Sequence, residues 1–321
     1  MQDHCFIGVD VGKFEIQVAG LEPGQIVAGR IANTRSALTG WLKRLPAHSV
    51  LGMEATGGYQ RLLADLAHGR GLTVYVLNPQ RVHHYAKSLG QRGKTDRQDA
   101  QVIARYIAQE HERLHAYAPT DPALAELRQW QAARATVVRA MTMLRLSSQG
   151  QPEVIRQQAE PVLAQMRALA QAMERELVSR LRADPNLAKT YALLTGITGI
   201  GPLSGAALTV LFTRIAFSRA DAVVAYSGLD PRPNDSGRKR GVRRLSKQGD
   251  KLLRTLLYNA ASSAARTRVF KDYYQGLRAK GLASTAALVV LARRLLRIAY
   301  GVYRSQTAFD PSRAQHGITC T

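Results

Sequence analysis

Cysteine is nearly absent from this chain of 321 residues, which has only Cys5 and Cys320, one near each end. Two cysteines placed so far apart exclude a disulfide framework and a cysteine-rich zinc site. Such sparing use of cysteine is typical of a reducing compartment. We therefore expect a cytoplasmic protein.

An uninterrupted apolar run of membrane-spanning length is also missing. The longest apolar stretch, Ala286–Val302, is broken by Arg293, Arg294 and Arg297, which argues against a membrane span. The first residues, Met1-Gln2-Asp3-His4, lack the basic start and apolar run of a signal peptide. We expect neither membrane insertion nor export.

Acidic residues are scarce. The chain has 45 lysines and arginines against 23 aspartates and glutamates, a formal charge of +22. Residues 191–321 alone hold 21 basic and 6 acidic side chains, or +15. Such an excess of positive charge destabilises the compact state by self-repulsion. It is usually kept because a polyanion binds the protein. Composition leaves two interpretations open, a nucleic-acid-binding protein and a very basic enzyme.

The first 110 residues alternate strand and helix patterns. Short strands are predicted over 5–10, 14–19, 25–31, 49–54 and 72–77. Helices are predicted over 33–45, with Asn33 as the cap, over 59–68 and over 95–110, whereas residues 79–92 are ambiguous. Three consecutive strands followed by alternating helix and strand predict an α/β fold with an antiparallel and a parallel part.

Acids stand at the ends of two of these strands and at the start of one helix. Asp10 closes the first strand and Glu54 closes the fourth. Asp96 and Asp99 are three residues apart in the first turn of a helix that Thr95 would cap, and so share one face. Each acid alone has a simpler explanation, as a turn residue, a cap or a complement to the helix dipole.

Taken together, the four acids predict a metal site. In mixed sheets, functional sites gather at strand ends. Four carboxylates brought together without cations would raise one another's pKa values. Oxygen ligands favour Mg²⁺, with Mn²⁺ as the alternative, and two such ions can clamp both oxygens of a phosphodiester exchange. We predict metal-binding and catalytic roles in phosphoryl transfer for Asp10, Glu54, Asp96 and Asp99.

A proline-rich boundary at 118–122 precedes a helical region that ends near Arg182. Two helices are predicted, interrupted at 150–152 and restarted near Pro161. The second has coiled-coil-like apolar spacing, with Leu163, Met166, Ala170, Met173, Leu177 and Leu181. We interpret the region as a projecting helical hairpin or coiled coil, which would pair subunits or pack within the chain. Helices are predicted again over 249–266 and 283–304.

A glycine-rich junction joins two further predicted helices. It reads Gly199-Ile200-Gly201-Pro202, with Pro202 at the first position of the second helix. The pattern is typical of a helix-hairpin-helix module, in which glycine lets backbone N–H groups approach a phosphate. Gly199 and Gly201 are therefore predicted nucleic-acid contacts that read no bases. A tight structural turn is the alternative.

A cationic segment follows at 230–247. Its cations, predicted to bind nucleic acid, are Arg238, Lys239, Arg240, Arg243, Arg244 and Lys247, with a solvated charge run as the alternative. Ser236 stands just before them and is by default a turn serine. As a nucleophile attacking phosphorus it would need a lowered pKa and nearby positive charge. The cations supply that charge, whereas the nearest histidines in sequence, His115 and His316, are remote.

These motifs together resemble the DEDD transposases of bacterial insertion sequences of the IS one-ten type, a family that includes the Piv-like DNA invertases. The resemblance covers almost the whole chain and rests on a combination of motifs in the family's order. They are Ile7-Gly-Val-Asp10, Glu54-Ala-Thr-Gly-Gly-Tyr59, Asn78-Pro79, Lys94-Thr-Asp96-Arg-Gln-Asp99-Ala100, Gly199-Ile-Gly-Pro202, Gly228-Leu-Asp-Pro-Arg232 and Asp235-Ser236-Gly237.

The resemblance implies a chain in three parts. Residues 1–118 would form a RuvC-like, ribonuclease-H-type α/β domain with the DEDD site. Residues 119–188 would form a helical coiled-coil arm, and residues 189–321 a mostly α-helical transposase domain with the helix-hairpin-helix-like motif and the serine loop. The family's four metal-binding acids and its catalytic serine match residues of this chain: Asp10, Glu54, Asp96, Asp99 and Ser236.

The resemblance also implies a reaction and its partners. The serine would attack a DNA strand and form a transient 5′-phosphoserine link in a site that both domains complete, with Mg²⁺ held by the acids. Strand exchange would pass through a Holliday-junction-like intermediate. A structured non-coding guide RNA would pair with donor and target DNA, as in other RNA-guided systems. Dimers would pair into a tetramer, in the bacterial cytoplasm at the nucleoid.

Other functions stay open at this stage. A RuvC-like junction endonuclease would cut branched DNA with water and leave Ser236 inert. A Piv-like invertase would perform site-specific inversion. A basic architectural protein would fold DNA duplexes without catalysing a reaction. Replacing Asp10 or Asp99 would then leave its function unchanged.

Overall fold

The structure is a computed structural model that describes residues 4–21, 29–55, 57–90, 95–232 and 244–312. The chain divides into two compact units, Met1–Pro119 and Thr120–Thr321. The first is built around a β-sheet and the second almost entirely from helices. In the described ranges, no helix combines the length and apolar character that a membrane crossing requires.

A mixed five-stranded sheet forms the centre of the first unit. Its strands are β1 (Cys5–Val11), β2 (Glu15–Gly20), β3 (Gly29–Ala32), β4 (Ser49–Glu54) and β5 (Thr73–Leu77), in the order β3-β2-β1-β4-β5. The first three strands pair antiparallel, whereas β4 lies parallel to both β1 and β5. The carboxyl ends of β1, β4 and β5 therefore meet at one edge of the sheet.

Helices cover both faces of this sheet. The helices α1 (Arg35–Leu42) and α2 (Arg61–Gly69) share one apolar core with alternate strand residues such as Leu51. The helices α3 (Pro79–Ser88) and α4 (Asp96–Glu110) share a second core with residues such as Val50. Successive residues of a strand point to opposite faces, which is why Val50 and Leu51 fall in different cores.

Two long helices open the second unit. They are α5 (Pro122–Ser148) and α6 (Glu153–Ala183), joined through residues 149–152. Arg134 pairs with Glu174 at 2.9 Å, and Arg180 pairs with Glu126 at 2.5 Å. These partners become closer in sequence toward the connection, so the two helices run antiparallel as a hairpin.

Shorter helices complete the second unit: α7 (Pro185–Thr195), α8 (Pro202–Arg214), α9 (Ala220–Ser227), α10 (Lys251–Ala264), α11 (Lys271–Ala279) and α12 (Ser284–Ser305). Their apolar faces meet in one core, in which Phe212, Phe270 and Leu291 are almost fully buried. Two short strands, β6 (Pro231–Arg232) and β7 (Arg244–Leu245), pair antiparallel beside these helices.

The mixed sheet confirms the predicted α/β class of the N-terminal part. The predicted third strand is observed as β3, and residues 22–28 lie outside the described residues. The predicted restart near Pro161 is wrong, because Pro161 lies inside α6 between the buried Ala159 and Leu163. Packing on both sides of the proline outweighs the backbone hydrogen bond that it removes. The RuvC-like and coiled-coil assignments and the three-part division stay predictions.

Candidate active site and nucleic-acid interface

Two glycines let α4 lie unusually close to the sheet. A β-carbon on Gly8 of β1 would be 1.9 Å from the carbonyl oxygen of Ala100 and 2.4 Å from the nitrogen of Ala104. A β-carbon on Gly52 of β4 would be 2.6 Å from the side chain of Ile107. No side chain fits at either position, so the glycines determine where α4 crosses β1 and β4.

The same two strands carry predicted metal-binding acids at their carboxyl ends: Asp10 is the last residue but one of β1, and Glu54 is the last residue of β4. Gly8 and Gly52 are opposite each other in the parallel ladder, and Asp10 and Glu54 each follow two residues later. Because side chains alternate along a strand, both acids extend from the face that α4 covers. Both are half-buried. The sheet thus presents two carboxylates from neighbouring strands, at one edge and on one face.

The first turn of α4 carries the other two acids. Thr95 caps the helix, as predicted, because its Oγ1 accepts a hydrogen bond from the Gln98 nitrogen at 3.3 Å. Asp99 is half-buried next to Ala100, which packs against Gly8, whereas Asp96 is exposed. The contact between Gly8 and Ala100 therefore holds Asp99 near the sheet while Asp96 faces outward.

The chemistry of this donor set fits a hard divalent cation, because every candidate ligand is a carboxylate oxygen. The acids come from two neighbouring strand ends and from a helix start that packs on one of those strands. Within the part of the chain that the structure describes, no three Asp, Glu, His or Cys side chains are already gathered into an ion-binding cluster. The assignment of metal ligands stays a prediction.

Asn33 connects the two loops that follow Asp10 and Glu54. Its backbone nitrogen donates to the Phe14 carbonyl at 2.8 Å, and its Nδ2 donates to the carbonyls of Gly12 at 2.9 Å and Tyr59 at 3.3 Å. The sequence pattern indicated Asn33 as the cap of α1, but Thr34 occupies that position. An asparagine just before a helix looks like a cap in sequence, and only the tertiary contacts reveal its other role.

The predicted nucleophile and most of its cations lie outside the described residues. These are Ser236, Arg238, Lys239, Arg240 and Arg243. Of the predicted basic loop, Arg244 and Lys247 are described: Arg244 is exposed and lies in β7, and Lys247 adopts a left-handed backbone conformation with φ of 54°.

The segments on either side of residues 233–243 are joined by backbone and side-chain hydrogen bonds. Arg232 is opposite Arg244 in the β6–β7 ladder. The Ser246 nitrogen donates to the Asp230 carbonyl at 2.9 Å, and the Ser246 hydroxyl donates to the Asp230 carboxylate. The β6–β7 ladder places Arg232 and Arg244 directly opposite each other. Two like charges in this position cost free energy unless an anion lies nearby.

The two glycines of the junction between α7 and α8 have different environments. Gly199 has φ of +94°, and a β-carbon there would be 2.5 Å from Cβ of Ala264 in α10. Residue 199 therefore packs closely against α10, and only glycine fits there. Gly201 is the N-cap of α8, and a β-carbon there would meet open space. Of the two, only Gly201 leaves room beside the backbone N–H groups that begin a helix.

A cationic groove in the second unit was not anticipated from the sequence. It has a volume of about 600 Å³ and lies between the hairpin and α10. Its basic side chains are Arg134, Arg139, Arg167 and Lys251, of which Arg134 pairs with Glu174 and Arg167 pairs with Glu160. No local charge run signals this groove, because its cations come from three helices and meet only in the folded chain.

Comparisons with known proteins agree over both units. A family described as "Transposase", of the DEDD IS110 type, matches residues 7–149, and the "Transposase IS116/IS110/IS902 family" matches residues 191–275. The pilin gene-inverting protein of Moraxella lacunata is 29% identical over 264 residues, which cover 80% of this chain and 81% of the relative. The transposase for insertion sequence element IS1111A of Coxiella burnetii is 25% identical over 342 residues, covering 96% and 92%.

Proposed function

Because the chain belongs to the IS110 (IS one-ten) family of DEDD transposases, we propose that it cuts and rejoins DNA strands through a covalent serine–DNA intermediate. The observation that carries this proposal is the pair of carboxylates, Asp10 and Glu54, on neighbouring strand ends beneath a helix that begins with Asp96 and Asp99. A transposase is a DNA recombination enzyme, so this constellation has a phosphodiester to act on. A RuvC-like, ribonuclease-H-type fold for the first unit is part of the proposal and is supported by its mixed sheet.

The four acids are proposed to hold Mg²⁺, or Mn²⁺ in its place. Asp10, Glu54 and Asp99 would be the inner ligands because they are half-buried, and Asp96, which is exposed, would complete the set from the rim. A bound divalent cation would neutralise the carboxylates and stabilise charge on the oxygens of the phosphodiester. The four carboxylates would hold the cation at the place where the phosphodiester binds.

Ser236 is proposed as the nucleophile. Its Oγ would form a bond to phosphorus while the bond from phosphorus to the 3′-oxygen breaks, and the 3′-oxygen would take a proton from water and leave as a hydroxyl. The serine proton passes to a base or to water. Attack by a second 3′-hydroxyl would then release the serine and join the strands, so each step exchanges one ester for another. Arginines around the serine would stabilise the charge that develops on phosphorus.

The nucleic-acid contacts are proposed to be electrostatic. They would involve the loop cations Arg238, Lys239, Arg240, Arg243, Arg244 and Lys247, together with the backbone at Gly199 and Gly201. The groove between the hairpin and α10 supports this part of the proposal, because it adds cations from α5, α6 and α10. A structured non-coding guide RNA is proposed to supply sequence specificity by base pairing. A net charge of +22 is consistent with binding both RNA and DNA.

The hairpin is proposed to pair subunits, with dimers assembling into tetramers. Its tip exposes apolar side chains on both sides of the connection: Met143 (66%), Leu146 (55%), Val154 (69%) and Ile155 (49%). Two such tips could cover each other in a self-complementary contact. Substituting Leu146 and Ile155 by Glu should lower the molar mass of the protein measured by analytical ultracentrifugation. The matched control is Val162→Glu, which lies on α6 with Ile155 and is 43% exposed.

Site-specific inversion is a second candidate function. It is favoured by the similarity to the pilin gene-inverting proteins of Moraxella lacunata and Moraxella bovis, each 29% identical over 264 residues. Inversion and insertion use the same cutting and joining steps and differ in which ends are rejoined. A plasmid that carries two candidate ends in inverted orientation would distinguish them by the junctions formed.

The proposal is tested by sequencing RNA that co-purifies with the protein and supplying it with matched donor and target DNA. Ser236→Ala should abolish strand transfer, while Ser147→Ala, an exposed serine in α5, should leave it unchanged. Cleavage that persists in Ser236→Ala would indicate the junction endonuclease that uses water. Recombination that persists in Asp10→Asn and Asp99→Asn would contradict the role of the acids.

A further inference from the structure

Two aromatic side chains are exposed beside the proposed metal-binding acids. Phe14 is 77% exposed, at the turn between β1 and β2, and Tyr59 is 43% exposed, in the loop between β4 and α2. Both rings could gain free energy by burial. Phe14 is the most exposed large apolar side chain among the described residues. Neither ring contributes to a core of the first unit.

Both aromatic residues lie at the sheet edge where the acids are. Phe14 follows Asp10 by four residues, within the tight turn that the hydrogen bond from the Gly12 nitrogen to the Glu15 carbonyl closes at 2.9 Å. Tyr59 follows Glu54 by five residues, after Gly57 and Gly58 with φ of +59° and +96°. Since β1 and β4 are parallel neighbours, these two loops leave the sheet at the same edge.

Asn33 fixes these loops to each other. Its Nδ2 bridges the Gly12 and Tyr59 carbonyls, and its backbone nitrogen holds the Phe14 carbonyl. The Asn33 Oδ1 is buried and has no hydrogen-bond partner among the described residues. A buried acceptor without a partner costs free energy, so Asn33 joins the two loops at a cost in stability. Its effect is to keep two aromatic residues at a set spacing on one rim.

The charge at this rim indicates what the rings contact. Nζ of Lys13 lies 5.1 Å from the centre of the Phe14 ring. An exposed ring paired with a lysine presents a flat apolar face and a cation together, which suits a base and its phosphate. Unpaired bases suit these rings better than a duplex, whose bases are already stacked on one another.

We propose that Phe14 and Tyr59 are stacking platforms for unpaired bases of the DNA strand whose phosphodiester lies at Asp10 and Glu54. This inference rests on the proposed function, because it takes DNA as the substrate. The two rings would hold the strand on each side of the reacting phosphate. The strand would thus be presented to the acids in an opened form.

A fluorescence measurement tests stacking directly. The Phe14→Trp variant, titrated with an oligodeoxythymidylate of about 15 nucleotides, should lose emission as bases stack on the new indole. The unmodified chain gives the background, because Trp41 is only 3% exposed and Trp130 lies against Arg180. Binding without quenching beyond this background would overturn the proposal, as would equal quenching by a blunt duplex of the same length.

Paired substitutions measure the contribution of each ring. Phe14→Leu and Tyr59→Leu keep an apolar side chain but lose the aromatic face, and each should weaken binding of the oligodeoxythymidylate about 5- to 100-fold. Tyr59→Phe keeps the ring and should bind like the unmodified chain. Leu89→Ala, exposed at 44% in the same unit, is the matched control. Unchanged affinity in both leucine variants would overturn the proposal, and a changed sedimenting mass with unchanged affinity would assign the rings to a protein interface instead.

The two proposals can fail separately. Stacking is measured on protein that performs no chemistry, for example Asp10→Asn, so it does not depend on strand transfer. If strand transfer depends on Ser236 and Asp10 but no quenching occurs, only the stacking proposal is contradicted. If quenching occurs and no condition yields recombinant junctions, the proposed function is contradicted and a strand-binding role remains.

Discussion

Gly8 and Ala100 are in backbone contact: a β-carbon on Gly8 would lie 1.9 Å from the Ala100 carbonyl oxygen. The contact joins the strand that carries Asp10 to the helix turn that carries Asp99. Each acid is within two residues of it. The spacing of these two carboxylates is therefore determined by the absence of a side chain at residue 8.

We predict that Gly8→Ala destabilises the chain by about 3 kcal/mol or more, because α4 must move away from backbone atoms that cannot yield. Strand transfer should be lost even at temperatures where the variant stays folded. Urea unfolding followed by circular dichroism measures the first effect. The control is Gly40→Ala in α1, where a β-carbon meets nothing and stability should rise by up to about 1 kcal/mol.

Asn33 allows a prediction about the rim. Asn33→Ala removes the two side-chain hydrogen bonds and should cost about 1–2 kcal/mol. Asn33→Asp should be worse for activity, because a carboxylate cannot donate to the Gly12 and Tyr59 carbonyls and adds negative charge near Asp10 and Glu54. Assays of strand transfer beside thermal melting would separate the two effects. An aspartate variant as active as the alanine variant would contradict this reading of Asn33.

The junction glycines should respond differently to the same substitution. Gly199→Ala is expected to cost about 2–4 kcal/mol, since φ is +94° and the new β-carbon would be 2.5 Å from Cβ of Ala264. Gly201→Ala should cost about 1 kcal/mol or less and reduce nucleic-acid affinity only if the start of α8 contacts a phosphate. Unfolding and filter-binding measurements on both variants check these outcomes. Equal destabilisation would contradict the packing role of Gly199.

Tyr117 predicts a dependence of stability on alkaline pH. Burial, together with the 2.6 Å hydrogen bond that its hydroxyl donates to Asp65, raises the pKa of Tyr117 to about 12. The neutral phenol is thus favoured in the folded state. Its contribution to stability is complete below pH 10, the pKa of an ordinary tyrosine, and is lost as pH rises toward 12.

The Tyr117→Phe variant tests whether the contribution of Tyr117 to stability is lost as pH rises. Its free energy of unfolding should be lower than that of the unmodified chain at pH 8, and the difference should shrink between pH 10 and pH 12. Circular dichroism in urea at several pH values measures it. A difference that stays constant over this range would show that the phenol contributes nothing that depends on its proton.

Local patterns predicted the parts of the site that local physics determines. The strand that ends at Glu54 and the helix that Thr95 caps follow from alternation and from a hydroxyl before a helical stretch. The acids could be recognised for the same reason, since each closes or opens such an element. The junction before Pro202 also matched, because proline suits the first helical position.

Contacts between distant segments could not be predicted. Phe14 belonged to an alternating strand pattern, yet it lies in the turn and is exposed, because the strand begins only at Glu15. Asn33 has the residue type and position that are typical of a helix cap, but it connects two loops instead. The approach of Gly8 to Ala100 joins residues more than ninety positions apart, and no periodicity in the sequence reports such a contact.

The covalent link between Ser236 and DNA is the most direct test of the account. The protein would react with end-labelled donor DNA, Mg²⁺ and the co-purified RNA, and label that stays with the chain would be measured after denaturation. We predict a labelled adduct in the unmodified chain and in Ser147→Ala, and none in Ser236→Ala or Asp10→Asn. An adduct of undiminished yield in Ser236→Ala, or strand transfer without any adduct, would contradict the central claim.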